Sequence, residues 1–112
     1  MSARPLGALC AALGWTLLCG DPARPVEGAY ACDMLSWAMS RAKPGGAWIT
    51  ILNSHNVVAV ADLADVACVV LAEGVALPDA VRARAEEKGV AFVSAPEDAA
   101  SAVLALHAAG AL

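Results

Sequence analysis

The sequence predicts an α/β fold: a single-domain sandwich with a mainly parallel sheet of four to five strands flanked by helices. Three observations carry this. From Val26 onward, strand-like apolar runs alternate with helix-periodic ones, and Pro and Gly mark the joints. The apolar run Trp48 to Leu52 ends in the polar insert Asn53-Ser54-His55-Asn56, and two further apolar runs follow before Glu73-Gly74. That order is a strand, a buried helix and a second strand parallel to the first. At 112 residues the chain is the size of one domain, with no room for a second.

Residues 1–20 hold an N-terminal helix and strand, and 21–112 the remainder. Leu6 to Leu13 reads as an amphipathic helix and Trp15 to Leu18 as a strand. Arg4 followed by Leu6 to Leu18 imitates a signal peptide, and Leu17-Leu18-Cys19-Gly20 a lipoprotein cleavage site. Leu18 stands where a small residue is wanted, however, and Gly7, Gly14 and Trp15 break the apolar run. No run reaches the length of a bilayer span. Asp21 to Pro25 is a loop, and Val26 to Ala31 a short strand weakened by Gly28.

Asp33 opens the next helix as its N-cap, and Lys43-Pro44-Gly45-Gly46 stops it after Ala42. Leu35, Ala38, Met39 and Ala42 follow the spacing of a core face, with Asp33, Ser36, Ser40 and Lys43 opposite. Trp37 falls among the polar residues, so it asks for a partner: a second subunit, a stacked ligand, or a covering loop. Ala47 to Leu52 is the clearest strand. The valines of Asn56 to Leu63 favour a strand, but Ser54 and Asn56 supply caps, and Ala67 to Leu71 is already the next buried strand. A helix over 56–63 is therefore expected, buried on more than one side. Pro78 to Lys88 follows, with Leu77, Val81 and Ala85 inward and Gly89 as C-cap. Val90 to Val93 is the last strand, and Ser94-Ala95-Pro96-Glu97 has the form of a capping box for a final helix lined by Ala99, Val103 and Leu106.

The formal charge is -4 and no basic cluster forms, which argues against nucleic-acid or anionic-membrane partners. Cys10, Cys19, Cys32 and Cys68 lack paired spacing and only two His are present, so neither a metal site nor a cofactor is expected. The four read as free, largely buried thiols. Lys43-Pro44-Gly45-Gly46 leads into a strand and has the wrong order for a phosphate loop. Ser54 and His55 are adjacent, so their side chains diverge and no triad forms. No catalytic residue is assigned, and the chain reads as a non-enzyme. The candidate ligand-binding residues are Thr50, Asn53, Ser54, His55 and Asn56, gathered where free helix N–H groups would meet a nucleotide-like or anionic small ligand. Trp37, Asp33 and Val57 are candidate interface residues.

Ala23-Arg24-Pro25-Val26-Glu27-Gly28-Ala29-Tyr30, Asp33-Met34-Leu35-Ser36, Trp48-Ile49-Thr50 and Asn56 to Ala61 together resemble the DRTGG-domain family over nearly the whole chain. The Asp-x-Leu-Ser-Trp stretch followed by Met is similar to a free-standing subgroup often encoded near iron-only hydrogenase genes in anaerobic bacteria. The resemblance implies a cytoplasmic regulatory or ligand-binding module of redox or energy metabolism that tends to dimerise. It also implies an alternative, an assembly or accessory subunit of a hydrogenase-type redox complex that uses no small ligand. Arg24 and Gly28 of the naming motif stand, while its Asp, Thr and second Gly positions hold Ala23, Glu27 and Ala29.

Overall fold

Trp48 and Ile49 face opposite sides of one sheet, and the fold follows from covering both sides. The computed structural model describes residues 3–112. In chain order these form β1 (Arg4–Pro5), α1 (Leu6–Leu13), β2 (Thr16–Cys19), β3 (Pro25–Val26), β4 (Ala29–Ala31), α2 (Leu35–Arg41) and β5 (Ala47–Thr50). Then come α3 (His55–Ala64), β6 (Cys68–Leu71), a 3-10 turn (Ala72–Gly74), α4 (Asp79–Lys88), β7 (Phe92–Ser94) and α5 (Ala99–Ala108). The five-stranded sheet runs β2-β7-β6-β5-β4, and β1 pairs with β3 in a separate two-stranded ribbon. β4 to β7 are parallel and β2 is antiparallel to β7, so the expected mainly parallel sandwich is what forms.

Each of β4 to β7 lies beside the strand before it. Right-handed crossovers that always step in one direction keep their helices on one face. That face packs Trp48, Val69, Leu71 and Phe92 against Val57, Val58, Val60, Ala61, Val81 and Ala85 of α3 and α4. The other face packs Ile49, Val70 and Val93 against Leu6 and Leu9 of α1 and Ala102 and Leu106 of α5. The alternation along each strand thus divides the core into two layers. No helix among the described residues is long and apolar enough to cross a membrane.

The helix expected over 56–63 forms as α3, because burial of four side chains on its inner side outweighs the strand preference of its valines. Ser54 takes the N-cap position with φ -91° and ψ 171°, but its hydroxyl makes no capping bond. Four other expectations are corrected. The strand expected over 26–31 is two strands: Val26 pairs with Arg4, Ala29 pairs with Ala47, and Gly28 at φ +94° turns the chain between them. Asp33 does not cap α2; Met34 holds that position, without a side-chain bond. Starting later, α2 buries only Ala38 outright, and Met39 stands 52% exposed instead of inside. Trp37 lies outside the core as its spacing predicts, yet no loop covers it. It is 50% exposed, with the Arg41 guanidinium 4.0 Å from its ring centroid.

The final helix also begins later than the capping box suggests. Ser94 is used in β7 opposite Thr16, and the Glu97 carboxylate accepts the Trp15 Nε1 hydrogen at 2.9 Å. Asp98 is the cap, accepting the Ser101 N–H at 3.0 Å. Hydrogen bonds from Ser101, side chain first and backbone second, hold the Asp98 carboxyl below its ordinary value of 3.8. A lowered folded-state pKa adds stability that is present above the ordinary value and is lost as pH falls through the lowered one. Asp98→Ala is therefore expected to melt below the unaltered protein at neutral pH, and the gap to close in acid, read from thermal midpoints across that range.

Candidate functional site

The carboxyl end of β5 is the expected site, and its polar residues divide into two groups. Thr50, 1% exposed, donates its hydroxyl hydrogen to Asp33 Oδ1 at 2.8 Å and accepts the Leu52 N–H at 3.1 Å. Asp33 Oδ1 also accepts the Ile51 N–H at 3.0 Å. A buried threonine cannot leave its hydroxyl unpaired, and the loop after β4 supplies the acceptor. Asn53 donates its Nδ2 hydrogen to the Ala76 carbonyl at 2.8 Å, tying this turn to the one before α4. Thr50 and Asn53 are thus fastened within the fold, and Ser54, His55 and Asn56 face solvent at the first turn of α3.

The usual topological cause of a crevice is missing beside them. A cleft at the strand ends forms where neighbouring strands send their helices to opposite faces. Here β5 and both its neighbours belong to the run of strands whose helices share one face. What lies beside the turn is apolar: Met34 at 52%, Trp37 at 50% and Ile51 at 44% exposure. Met34 and Trp37 are one helical turn apart, and Asp33 holds the Ile51 amide directly before Met34. Val57, expected as an interface residue, is fully buried in this chain's own core and offers nothing to a second subunit.

A cavity of about 280 Å³ lies at the opposite end of the strands, where β4 and β5 begin. Its walls include Glu27, Tyr30, Ala42, Gly46, Ala47 and Val66, with Arg41 and Lys43 from the end of α2. Side-chain and backbone hydrogen bonds fix this wall. Arg24 Nη2 donates to the Asp65 carbonyl at 3.0 Å and to Asp65 Oδ1 at 3.2 Å. The same carbonyl accepts Gly45 N–H at 2.9 Å, and the Gly45 carbonyl accepts Glu27 N–H at 2.9 Å. A Cβ on Gly46 would stand 3.3 Å from the Lys43 carbonyl oxygen, so only glycine passes here without displacing it. Sequence reasoning passed over this cavity, and Arg24 with Gly28 and Gly45-Gly46 were the signals that mark it.

The four cysteines are free, and Cys10, Cys19 and Cys68 are buried. Burial at the centre of the sheet, then the neighbouring Cys10, pushes the Cys68 thiol up to about 12, which keeps it protonated and unreactive. Among the described residues no three His, Cys, Asp or Glu side chains gather as a metal site.

Fold and site together define a small parallel α/β/α domain with a polar turn at one strand end and a built cavity at the other. The chain belongs to the DRTGG domain family, whose model matches residues 8–109. Among solved structures it is similar to the CBS and DRTGG domains of the regulatory region of Clostridium perfringens pyrophosphatase, complexed with its activator diadenosine tetraphosphate. That likeness has a TM-score of 0.74 at 12% identity, covering 91% of this chain. The match spans 45% of the pyrophosphatase chain, less than half its length. Comparison with curated proteins finds no match.

Proposed function

We propose that this domain is a non-enzymatic regulatory module that binds a small nucleotide-like or anionic ligand and works as a homodimer in redox or energy metabolism. The cytoplasm is its expected compartment, and hydrogenase-type systems are its expected setting. The observation that carries the reading is the group Met34, Trp37 and Ile51, apolar and half exposed, at the end of β5 that leads into Ser54, His55 and Asn56. Large apolar side chains left together on a small domain mark a surface that is covered in the working state. Aromatic residues supply most of the energy at such contacts. Joining two copies across α2 would bring two polar turns near one shared seam, a geometry suited to a ligand that reports on assembly. The similar pyrophosphatase region, a regulatory one bound to its activator, supports the regulatory part.

Sedimentation equilibrium at roughly tens of micromolar is the test, since a dimer with micromolar affinity is populated there. A dimer is expected, and Trp37→Glu is expected to return a monomer with an unchanged circular dichroism spectrum. A strict monomer for the unaltered chain would overturn the homodimer. A nucleotide panel read by thermal shift tests the ligand, because a ligand at a hundred times its dissociation constant adds about 2.7 kcal/mol.

A further inference from the structure

The cavity beneath β4 and β5 is separate from the polar turn, since the full length of β5 lies between them. We infer that it is a second binding site, taking a small aromatic anion: one ring system that carries a phosphate or carboxylate. Four features lead to that class. The interior is set by small apolar side chains, Ala29, Ala42, Ala47 and Val66, which leave space for an apolar ring. Tyr30 is the one aromatic residue of the lining, a partner for a planar ring. Size limits the guest, because 280 Å³ lies just under the roughly 300 to 1,000 Å³ of pockets that enclose drug-sized ligands. One ring system fits within, and its charged group stays at the lip.

Charge at the lip gives the sign. Arg41 and Lys43 lie two residues apart, and among the described residues neither forms an ion pair. In a chain of net charge -4, two cationic residues without a carboxylate partner at one opening, Lys43 and the Arg41 that stacks on Trp37, are a local reversal of sign. Both lie at the end of α2, and α3 separates that helix from the acidic residues of α4. Glu27 lies on the wall as well and repels a second anionic group. It adds affinity for a guest whose other end offers an N–H or O–H donor, as adenine does. The wall is held before any ligand arrives, through Arg24, Asp65, Gly45 and Glu27, so binding costs little ordering of the protein.

The test is a set of ¹H–¹⁵N titrations of the full chain with adenosine 5′-monophosphate, phenyl phosphate and inorganic phosphate. The two aromatic anions are expected to shift the amides of Gly28, Tyr30 and Gly46 with dissociation constants of about 1 mM or tighter. Inorganic phosphate is expected to bind at least about tenfold more weakly, as is phenyl phosphate to the Arg41→Gln, Lys43→Gln double variant. Lys43→Gln alone leaves the Arg41 stack on Trp37 in place and is expected to show part of that loss. Ser54→Ala with His55→Ala is expected to leave these shifts unchanged. Silence at Gly28, Tyr30 and Gly46 up to about 5 mM, an equal response to inorganic phosphate, or indifference to the double variant would overturn the cavity site. Shifts confined to Ser54 to Asn56 would overturn it too, while leaving the regulatory reading of the polar turn intact.

Discussion

Gly20→Ala is expected to unfold a large share of the molecules, at a cost of about 3–5 kcal/mol against a total stability of roughly 5–15 kcal/mol. Two causes add. Gly20 sits at φ +106°, a conformation in which a side chain is strained by about 1–3 kcal/mol. Its added Cβ would also stand 2.3 Å from Ala91 Cβ and 2.5 Å from Ala91 Cα, too close for either backbone to stay in place. The contact arises because β2 is the one antiparallel strand of the five-stranded sheet, with a register shift between Leu17 and Cys19 that brings the chain close over the start of β7. Gly89→Ala separates the two causes. Gly89 has φ +70° with nothing within 4 Å of an added Cβ, so it is expected to show only the backbone strain, about 1–2 kcal/mol. Urea titrations of both variants give the comparison. Equal losses would mean that the close approach to Ala91 relaxes freely and that the edge of the sheet is softer than its packing implies.

How much of this was legible in the residues depends on how local each cause is. The strand at Ala47–Thr50 and the helices α1, α3 and α4 were readable because apolar periodicity and terminal signals such as Gly89 act within a few residues. The errors came where a distant partner took a residue away from its local role. Glu97 looks like the closing half of a capping box, but the Trp15 indole, 82 residues earlier, claims its carboxylate. Asp33 looks like an N-cap, but the Thr50 hydroxyl and the Ile51 amide, both at the end of β5, claim it first. Val26 to Ala31 reads as one strand since alternation records which way side chains face, not which chain each residue pairs with.

The site was legible in the same uneven way. A polar turn between strand and helix is a local feature, and it stands at the end of β5 as the sequence indicates. That Thr50 and Asn53 are engaged within the fold is visible only once Asp33 and Ala76 are in place. The cavity is assembled from 27–30, 41–43, 46–47, Val66 and Leu112, segments that no single window contains. Composition still explains why it exists. With about a quarter of its residues Ala and 4% aromatic, the chain has few side chains large enough to close the gap beneath its strands.

Trp48→Ala is expected to be the most damaging change to the core, costing about 3–5 kcal/mol through lost burial and the void left behind. Trp48 is fully buried between β4 and β6, among the largest side chains in the layer that also holds Val57, Val69 and Phe92. Its indole does a second job, donating from Nε1 to the Cys32 carbonyl at 2.9 Å. That bond fixes the residue directly before Asp33, whose carboxylate in turn holds Thr50 and Ile51. Trp48→Phe keeps most of the ring volume but removes the donor to a part-buried carbonyl, so it is expected to cost about 1–2 kcal/mol. The two variants therefore differ in kind. With Trp48→Phe the core should stay cooperative while the polar turn loosens, and hydrogen exchange at the Ile51 amide should quicken more than at Val69 or Val70 in β6. Uniform acceleration across the sheet would instead mean that the indole acts through packing alone, with the Cys32 bond contributing nothing separate to the turn that presents Ser54, His55 and Asn56.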